Sequence, residues 1–572
     1  MTNRRTFLTR CAAAGLSSIV GEALWNRLQA ENSAILPGAA ELQGPPRITR
    51  EMIRAAEAIA GVEFTDAERD LMLERLESNL TSYQAIRLVE VPYQVPPAVQ
   101  FSPLLAGKSY PITARRPASL PHPREPVQRP KSDADLAFLT VIELAQLLRR
   151  REVTATELTH LYLDRLARYN PTLNCVVTLT TERALRKAAE ADRQIAAGAY
   201  RGILHGIPYG VKDILAVSGY PTTWGAALYK DRVLDETATV VQRLDAAGAI
   251  LVAKLSMGEL GLSDSWFRGR TMNPWRTSQG AGGSSAGSAV AVAAGLVGFA
   301  LGAETMGSLV TPATRNGVTG LRPTFGLVSR HGAMPLCWSL DKIGPMARSV
   351  EDCAAVLGVI AGPDGKDSTV VPAAYAWDPS RPLTSLRVGY FAPAFDAPSS
   401  TKVKDNQALA TLRRLGIPLR EVNLPDNIPI AALLIIRVEA AAAFDEMTRS
   451  GELRLLKEQG ATGFPNFFRS GRLVPAVEYL QANRVRQMFM QQMDEVFKDV
   501  DVFMAPSFGV NPATNLTGHP CVVVPNGLSE DGIPVSISFI GRLFGDSELC
   551  TVARAWQDAA GFYRMHPTGF TE

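Results

Sequence analysis

Three stretches of the 572-residue chain carry residue types that could together perform acyl-transfer chemistry. Gly206–Asp213 places one lysine, Lys212, at the end of a mostly apolar run, and Gly282–Ser288 holds three serines and three glycines. Ala303–Ser308 then ends on a serine that follows a glycine. A serine hydroxyl is a poor nucleophile until a base takes its proton. A lysine can be that base when its surroundings keep it neutral near pH 7, so the parts of such a site are present.

Each of these features also has an ordinary interpretation when it stands alone. A Gly/Ser cluster is typical of a flexible loop. An isolated serine such as Ser308 is typical of a turn or a helix cap, and an isolated lysine such as Lys212 is typical of the surface. The order and the spacing carry the chemical interpretation, because Ser284 lies 72 residues after Lys212 and 24 residues before Ser308.

This pattern resembles the amidase signature family. Members carry a stretch of the form G-G-S-S-G-G-S, a nucleophilic serine 24 positions later and an upstream lysine. The resemblance covers about residues 136–563 and includes four further blocks of sequence: Asn273–Trp275, Asn316–Thr324, Gly344–Ser349 and Thr517–Pro520. It implies an α/β fold, with a single large domain whose mixed β-sheet is wrapped by helices.

The resemblance also implies a role for each residue of the pattern. Ser308 would be the nucleophile that forms an acyl-enzyme, Ser284 would relay the proton from a cis peptide bond, and Lys212 would be the base. Backbone N–H groups would form the oxyanion hole at Thr305, Met306 and Gly307. The expected substrate is a small-molecule amide, and neither a cofactor nor a metal ion is implied.

The sequence departs from the family pattern beside the expected nucleophile. Glu304 stands where members carry an aspartate, Met306 replaces a glycine, and Val310 stands where many members carry a substrate-binding arginine. A methionine at 306 would be strained if that position required a positive φ. The missing arginine favours an uncharged substrate. In the Gly/Ser stretch, Ala286 replaces a glycine, which is a milder change.

Residues 1–30 are predicted to be a twin-arginine signal peptide. Arg4 and Arg5 precede the weakly hydrophobic stretch 11–20, and Ala30 offers a small residue for cleavage. The prediction implies recognition by the export machinery and a periplasmic or secreted protein, tethered to the membrane if the leader is not cleaved. The alternative is an ordinary basic N-terminal helix.

Composition argues against several other classes of protein. The formal net charge of +3 does not favour nucleic-acid binding, and the scattered cysteines and histidines predict neither disulfides nor a metal site. The uncharged run 286–303 is long enough to cross a bilayer, but its Ala/Gly content favours a buried helix followed by a strand, so no stable membrane insertion is expected after leader cleavage.

The chain is predicted to divide into the leader 1–30, an N-terminal extension 31–130 and the amidase signature domain 131–570. Within the extension, 48–88 has helical spacing with a capping box at Thr65–Glu68, and 89–131 is Pro-rich, which is typical of an extended linker or of disorder. Further predicted elements are helices at 140–166, 239–247 and 548–560, and strands at 249–253, 386–391, 500–504, 522–524 and 535–540.

Three functions remain open from the sequence. The first is an exported serine hydrolase that cleaves carboxamide C–N bonds, with esters or carbamates accessible to the same site. The second is a glutamine-dependent amidotransferase A-type subunit for tRNA-linked amidation, and the third is a catalytically silent member, disabled at Met306, that binds an amide-like ligand. Four aromatic residues either line an apolar substrate pocket or pack in the core: Phe444, Phe464, Phe467 and Phe468.

Overall fold

The computed structural model describes residues 48–89, 91–108, 110, 127–373, 375–425 and 428–571, so the predicted signal peptide lies outside the described residues. The chain divides into two compact units, Met1–Val91 and Pro92–Glu572. Among the described helices, none is long and apolar enough to cross a membrane.

The described part of the first unit is a pair of helices, α1 (Arg50–Ala60) and α2 (Asp66–Arg87). The capping box predicted at the start of α2 is present, because the Thr65 side chain accepts from the Glu68 N–H while the Glu68 carboxylate accepts from the Thr65 N–H. A buried ion pair of 2.6 Å joins Arg69 of α2 to Glu57 of α1.

The second unit begins with residues 92–108, which form no helix or strand. Three helices follow: α3 (Asp133–Ala137), α4 (Val141–Arg150) and α5 (Ala155–Leu173). The prediction of one helix over 140–166 is therefore wrong. The chain turns at Arg151, which has a left-handed φ of 60°, and α5 restarts at Thr154 with a capping box to Glu157.

The core of this unit is a mixed sheet of eleven strands in the order β1-β3-β2-β8-β10-β9-β14-β15-β13-β11-β12. The strands of the sheet are β1 (Val176–Leu179), β2 (Pro208–Lys212), β3 (Ile250–Leu255), β8 (Phe299–Glu304), β9 (Thr319–Arg322), β10 (Lys342–Ala347), β11 (Val388–Phe391), β12 (Leu419–Val422), β13 (Val502–Pro506), β14 (Cys521–Leu528) and β15 (Pro534–Gly541). Two short hairpins stand apart from it: β4 (Ser265–Trp266) with β5 (Gly269–Arg270), and β6 (Met272–Asn273) with β7 (Arg276–Gly280). The predicted α/β class is confirmed.

The other α-helices described in this unit are α6 (Thr181–Ala196), α7 (Thr239–Ala246), α8 (Ala286–Ala293), α9 (Val310–Asn316), α10 (Val350–Ile360), α11 (Ala392–Asp396), α12 (Lys402–Arg414), α13 (Leu434–Ala443), α14 (Asp445–Ser450), α15 (Phe464–Gly471), α16 (Ala476–Val496), α17 (Asn511–Thr517) and α18 (Asp546–Ala560). The uncharged run 286–303 forms α8 and most of β8, and every residue of it is buried, as predicted.

The directions of β2, β8 and β10 place one end of each of these strands at the same edge of the sheet. β2 and β8 are parallel neighbours, so Lys212 and Glu304, the last residues of the two strands, lie at the same edge. β10 is antiparallel to β8 and starts at this edge, with Lys342 opposite Glu304. Side chains at the end of β2, after β8 and at the start of β10 can therefore meet.

Candidate active site

Lys212 presents an amine to a serine hydroxyl inside the protein. Its Nζ atom lies 2.8 Å from Oγ of Ser284 and donates to the Ala303 carbonyl oxygen at 3.3 Å. Burial disfavours the charged ammonium and lowers the pKa of Lys212 to about 7, although the nearby carboxylates of Asp341 and Glu304 oppose this shift. A large fraction of this amine is consequently neutral near pH 7.

The Gly/Ser stretch is held in place by specific contacts. Its Gly283–Ser284 peptide bond is cis, and a Cβ atom on Gly283 would lie 1.7 Å from the Ser263 carbonyl oxygen. Ser285 donates its N–H to the Ser308 carbonyl oxygen at 3.0 Å and its hydroxyl to the Ala303 carbonyl oxygen at 3.0 Å. The flexible-loop interpretation is therefore wrong for this stretch, because it is bonded both to β8 and to the turn that carries Ser308.

Ser308 lies in the turn between β8 and α9 and lines the same cavity as Lys212 and Ser284. The glycine before it is needed for the turn, because Gly307 has a φ of 80°. Met306 does not have a positive φ, so the strain expected for a methionine at this position does not arise. Its side chain packs against an apolar cluster that contains Leu340.

The backbone before Ser308 offers free donors. No described residue accepts a hydrogen bond from the N–H groups of Met306 or Gly307. Thr305 is held by its side chain, whose hydroxyl donates to Asp341 Oδ1 at 2.5 Å. Unpaired N–H groups beside a nucleophile are the kind of donor that can stabilise negative charge on a substrate oxygen.

The carboxylate of Glu304 holds the turn that contains Ser308 by hydrogen bonds. Its Oε2 atom accepts from the N–H groups of Leu309 and Val310 at 3.0 and 2.9 Å, at the start of α9. Its Oε1 atom pairs with Arg322 at 2.6 Å and accepts from Asn515 at 2.9 Å. Burial would raise the pKa of this carboxyl, but the Arg322 charge and the N–H donors outweigh burial and lower it to about 2. The longer side chain at this position thus has a complete set of partners.

The sequence analysis missed five charged residues that line the cavity: Arg330, Asp341, Lys342, Lys366 and Asp367. Asp341 and Lys342 both line it, and Asp341 Oδ2 also accepts from the N–H groups of Leu336 and Cys337 at 2.8 and 2.9 Å. Lys342 donates to the Leu340 carbonyl, and burial, with Arg322 nearby, lowers its pKa to about 7. The sequence offered a signal, because only Ile343 separates this charged pair from the block that begins at Gly344.

The cavity has a volume of about 80 Å³. Its apolar wall is formed by residues from five segments of the chain: Tyr93, Ile214, Met257, Ile343, Met334 and Trp338. The four phenylalanines considered for an apolar pocket are not among its lining residues. They stack on one another, with ring centroids 4.8 Å apart for Phe444 and Phe468 and 5.1 Å apart for Phe464 and Phe468, so the core-packing alternative holds.

The described cysteines are free and buried: Cys175, Cys337, Cys353, Cys521 and Cys550. Within the described ranges, no group of three or more histidine, cysteine, aspartate or glutamate side chains is placed to hold a metal ion. The cavity itself is lined by amines, hydroxyls, carboxylates, the Arg330 guanidinium and the His331 imidazole.

Residues 157–515 match the family model named Amidase. The chain belongs to the amidase signature family. The A-type subunit of glutamyl-tRNA(Gln) amidotransferase from Dechloromonas aromatica (strain RCB) is 35% identical to it over 480 residues, which cover 75% of this chain and 98% of that relative. This assigns the chain to enzymes that act on C–N bonds.

Solved structures agree with this family. The native peptide amidase from Stenotrophomonas maltophilia is 31% identical, with a TM-score of 0.66, over 74% of this chain and 97% of that one. A 6-aminohexanoate cyclic dimer hydrolase complexed with substrate is 25% identical, with a TM-score of 0.67, over 76% of this chain and 99% of that one. The amidase fold expected from the resemblance is confirmed.

Proposed function

We propose that this amidase-family member cleaves carboxamide C–N bonds through an acyl-enzyme on Ser308. The observation that carries the proposal is the 2.8 Å separation of Lys212 Nζ from Ser284 Oγ, in the cavity that Ser308 also lines. A lysine with a pKa of about 7 is neutral often enough to accept a proton at physiological pH.

In the first half of the proposed reaction, the hydroxyl of Ser284 gives its proton to neutral Lys212 and takes the proton of Ser308. The Ser308 oxygen attacks the carbonyl carbon of the amide. Negative charge develops on the carbonyl oxygen, which the free N–H groups of Met306 and Gly307 are placed to receive, with Thr305 as the third proposed member of the oxyanion hole. The proton then passes back through Ser284 to the leaving nitrogen, and the C–N bond breaks.

In the second half, water attacks the Ser308 ester. Lys212 again accepts a proton through Ser284, and the tetrahedral intermediate collapses to the free acid and regenerates the serine hydroxyl. The products are a carboxylic acid and ammonia or an amine. The same steps would cleave an ester or a carbamate.

One interpretation of this chemistry is an exported hydrolase that acts on a small, uncharged amide. It is supported by the twin-arginine pattern at Arg4 and Arg5 and by Val310, a buried apolar residue where many members have an arginine. The hydrolase would then need no partner apart from the export machinery.

A second candidate is favoured by a specific observation, the match over almost the full length of the A-type subunit of glutamyl-tRNA(Gln) amidotransferase. In this case the chain would release ammonia from glutamine by the same steps and pass it to a tRNA-linked acceptor within a complex. Amide cleavage at Ser308 is common to both candidates, and the acceptor of the nitrogen distinguishes them.

An ammonia-release assay with the purified full-length chain distinguishes these two candidate functions. The panel contains glutamine, peptide amides, aryl amides and fatty amides, with Ser308→Ala as the inactive variant and Ser400→Ala, at an exposed serine, as its control. Turnover of other amides by the isolated chain supports the hydrolase, and turnover of glutamine alone supports the amidotransferase candidate. Ammonia release that survives Ser308→Ala would contradict both.

A further inference from the structure

Residues 92–105, called the strap here, contribute to the wall of the catalytic cavity. They precede the range 157–515 that matches the family, and yet Tyr93, Gln94 and Pro96 line the cavity that contains Ser308. The strap has no helix or strand of its own, so its position depends on contacts with the rest of the unit.

The first end of the strap is anchored beside Trp224. The Tyr93 hydroxyl donates to the carboxylate of Glu236, and the Gln94 side-chain amide donates to the same carboxylate at 3.1 Å. The Tyr93 ring also packs edge-on against Trp224, with centroids 5.4 Å apart. Glu236 does not itself line the cavity, so it acts only through the strap.

The second end is anchored by polar and aromatic contacts. Gln100 donates to the Ser368 hydroxyl at 2.6 Å, and the Phe101 ring lies 5.0 Å from the Phe325 ring. The guanidinium of Arg486 lies 3.3 Å from the centroid of the Phe101 ring. Because both ends are held, the middle of the strap is fixed over the cavity and is part of its wall.

Pro96 and Trp338 form a partition at this wall. Both residues line the catalytic cavity of about 80 Å³ and also an outer cavity of about 330 Å³, which Val99 and Leu480 border as well. The strap and Trp338 therefore separate a small catalytic compartment from a larger space next to it.

We propose that the strap is a size filter, in which Pro96 together with Trp338 restricts the group that reaches Ser308 to a small or slender carboxamide. The proposal rests on amide cleavage at Ser308 and adds the substrate class. It assigns specificity to Tyr93, Gln94 and Pro96, and it makes Glu236 a positioning residue that holds them.

The test compares one small and one bulky reactant of the same type in the full-length chain. Propionamide and 4-phenylbenzamide are used for turnover, and a methyl and a biphenylmethyl fluorophosphonate are used for the rate of labelling at Ser308. The variants are Pro96→Gly, Trp338→Ala and Glu236→Ala, and Val95→Ala is the matched control because its exposed side chain borders neither cavity. The measured quantity is the rate with the bulky reactant divided by the rate with the small one, because partial unfolding lowers both rates equally.

Enlarging the compartment is expected to raise this ratio at least about tenfold in Pro96→Gly and Trp338→Ala, since even one methylene changes acceptance by about 10–200-fold. Glu236→Ala should raise the ratio in the same direction, and Val95→Ala should leave it unchanged. A ratio that stays within twofold of wild type in Pro96→Gly and Trp338→Ala, with propionamide still hydrolysed, would overturn the size filter alone. A shifted labelling ratio without hydrolysis of any amide would support the size filter and overturn the proposed function.

Discussion

At the scale of single residues, the proposed mechanism requires the amine of Lys212 to be neutral before Ser308 can be activated. Only the neutral amine accepts a proton, and burial lowers the pKa of Lys212 to about 7. We therefore expect kcat/KM for an amide to rise as the pH increases through about 7 and to level off above it. Lys212→Ala should lower the rate by about 10²–10⁴-fold and abolish this rise, as a pH–rate profile would measure.

Lys230→Ala is the control for this profile, because Lys230 is an exposed lysine. Its profile should match that of the wild type. A Lys212→Ala enzyme that kept the rise through pH 7 would exclude Lys212 as the base and would direct attention to Lys342, the other buried lysine of the cavity, whose pKa is also lowered to about 7.

Glu304 is expected to stabilise the fold through its charge. Glu304→Gln would remove the charge that pairs with buried Arg322 at 2.6 Å, and breaking such an ion pair lowers the free energy of unfolding by about 3–5 kcal/mol. The pKa of Glu304 is about 2 in the folded chain and near 4.5 in the unfolded chain. The stabilisation is thus fully present above pH 4.5 and is lost as the pH falls towards 2.

Urea unfolding of wild type and Glu304→Gln at a series of pH values measures this effect. The difference between the two proteins should be largest at neutral pH and should shrink as the pH falls from 4.5 towards 2. A difference that is independent of pH would show that the charge of Glu304 is not what stabilises the turn.

At the scale of elements, the Gly/Ser stretch depends on close packing against the segment that contains Ser263. A Cβ atom on Gly283 would lie 1.7 Å from the Ser263 carbonyl oxygen, so Gly283→Ala should lower the free energy of unfolding by about 1–3 kcal/mol or more. It should also abolish ammonia release, because it displaces Ser284. Gly460→Ala is the control, since a Cβ atom there meets no atom within 4 Å. Equal stability and activity of the two variants would contradict this account of the stretch.

Many of the helices, strands and site residues could be predicted from the sequence, and those that could not be predicted have physical causes. Motif order identified the side chains near β2 and β8, and the run 286–303 was recognised as a buried helix and strand. The break at Arg151 was missed because apolar residues recur on both sides of the charged run 149–152, although the Thr154–Glu157 capping box was present in the sequence. Asp341 and Lys342 were missed because pairing of β10 with β8 brings them to the cavity, and such long-range pairing is not encoded locally.

At the scale of the whole molecule, both the strap and the predicted signal peptide lie outside residues 157–515, which match the family model. A Pro-rich composition indicated an extended segment at 89–131, but only tertiary contacts show that Tyr93 and Pro96 reach the cavity.

The predicted signal peptide, which lies outside the described residues, is tested separately in a bacterial host by cell fractionation. The wild-type chain should reach the periplasm, and Arg4→Lys with Arg5→Lys should keep it in the cytoplasm. Identical distribution of both proteins would contradict the twin-arginine assignment and favour the amidotransferase candidate.

The central claim is that Ser308 carries the acyl group, and a trapped intermediate tests it most directly. The full-length chain is mixed with an activated acyl ester, quenched in acid within one turnover and digested, and the peptides are analysed by mass spectrometry. The account predicts one acyl adduct, on Ser308, that is absent from Ser308→Ala and forms far more slowly in Lys212→Ala. An adduct on another residue, or ammonia release from amides with no adduct at Ser308, would contradict it.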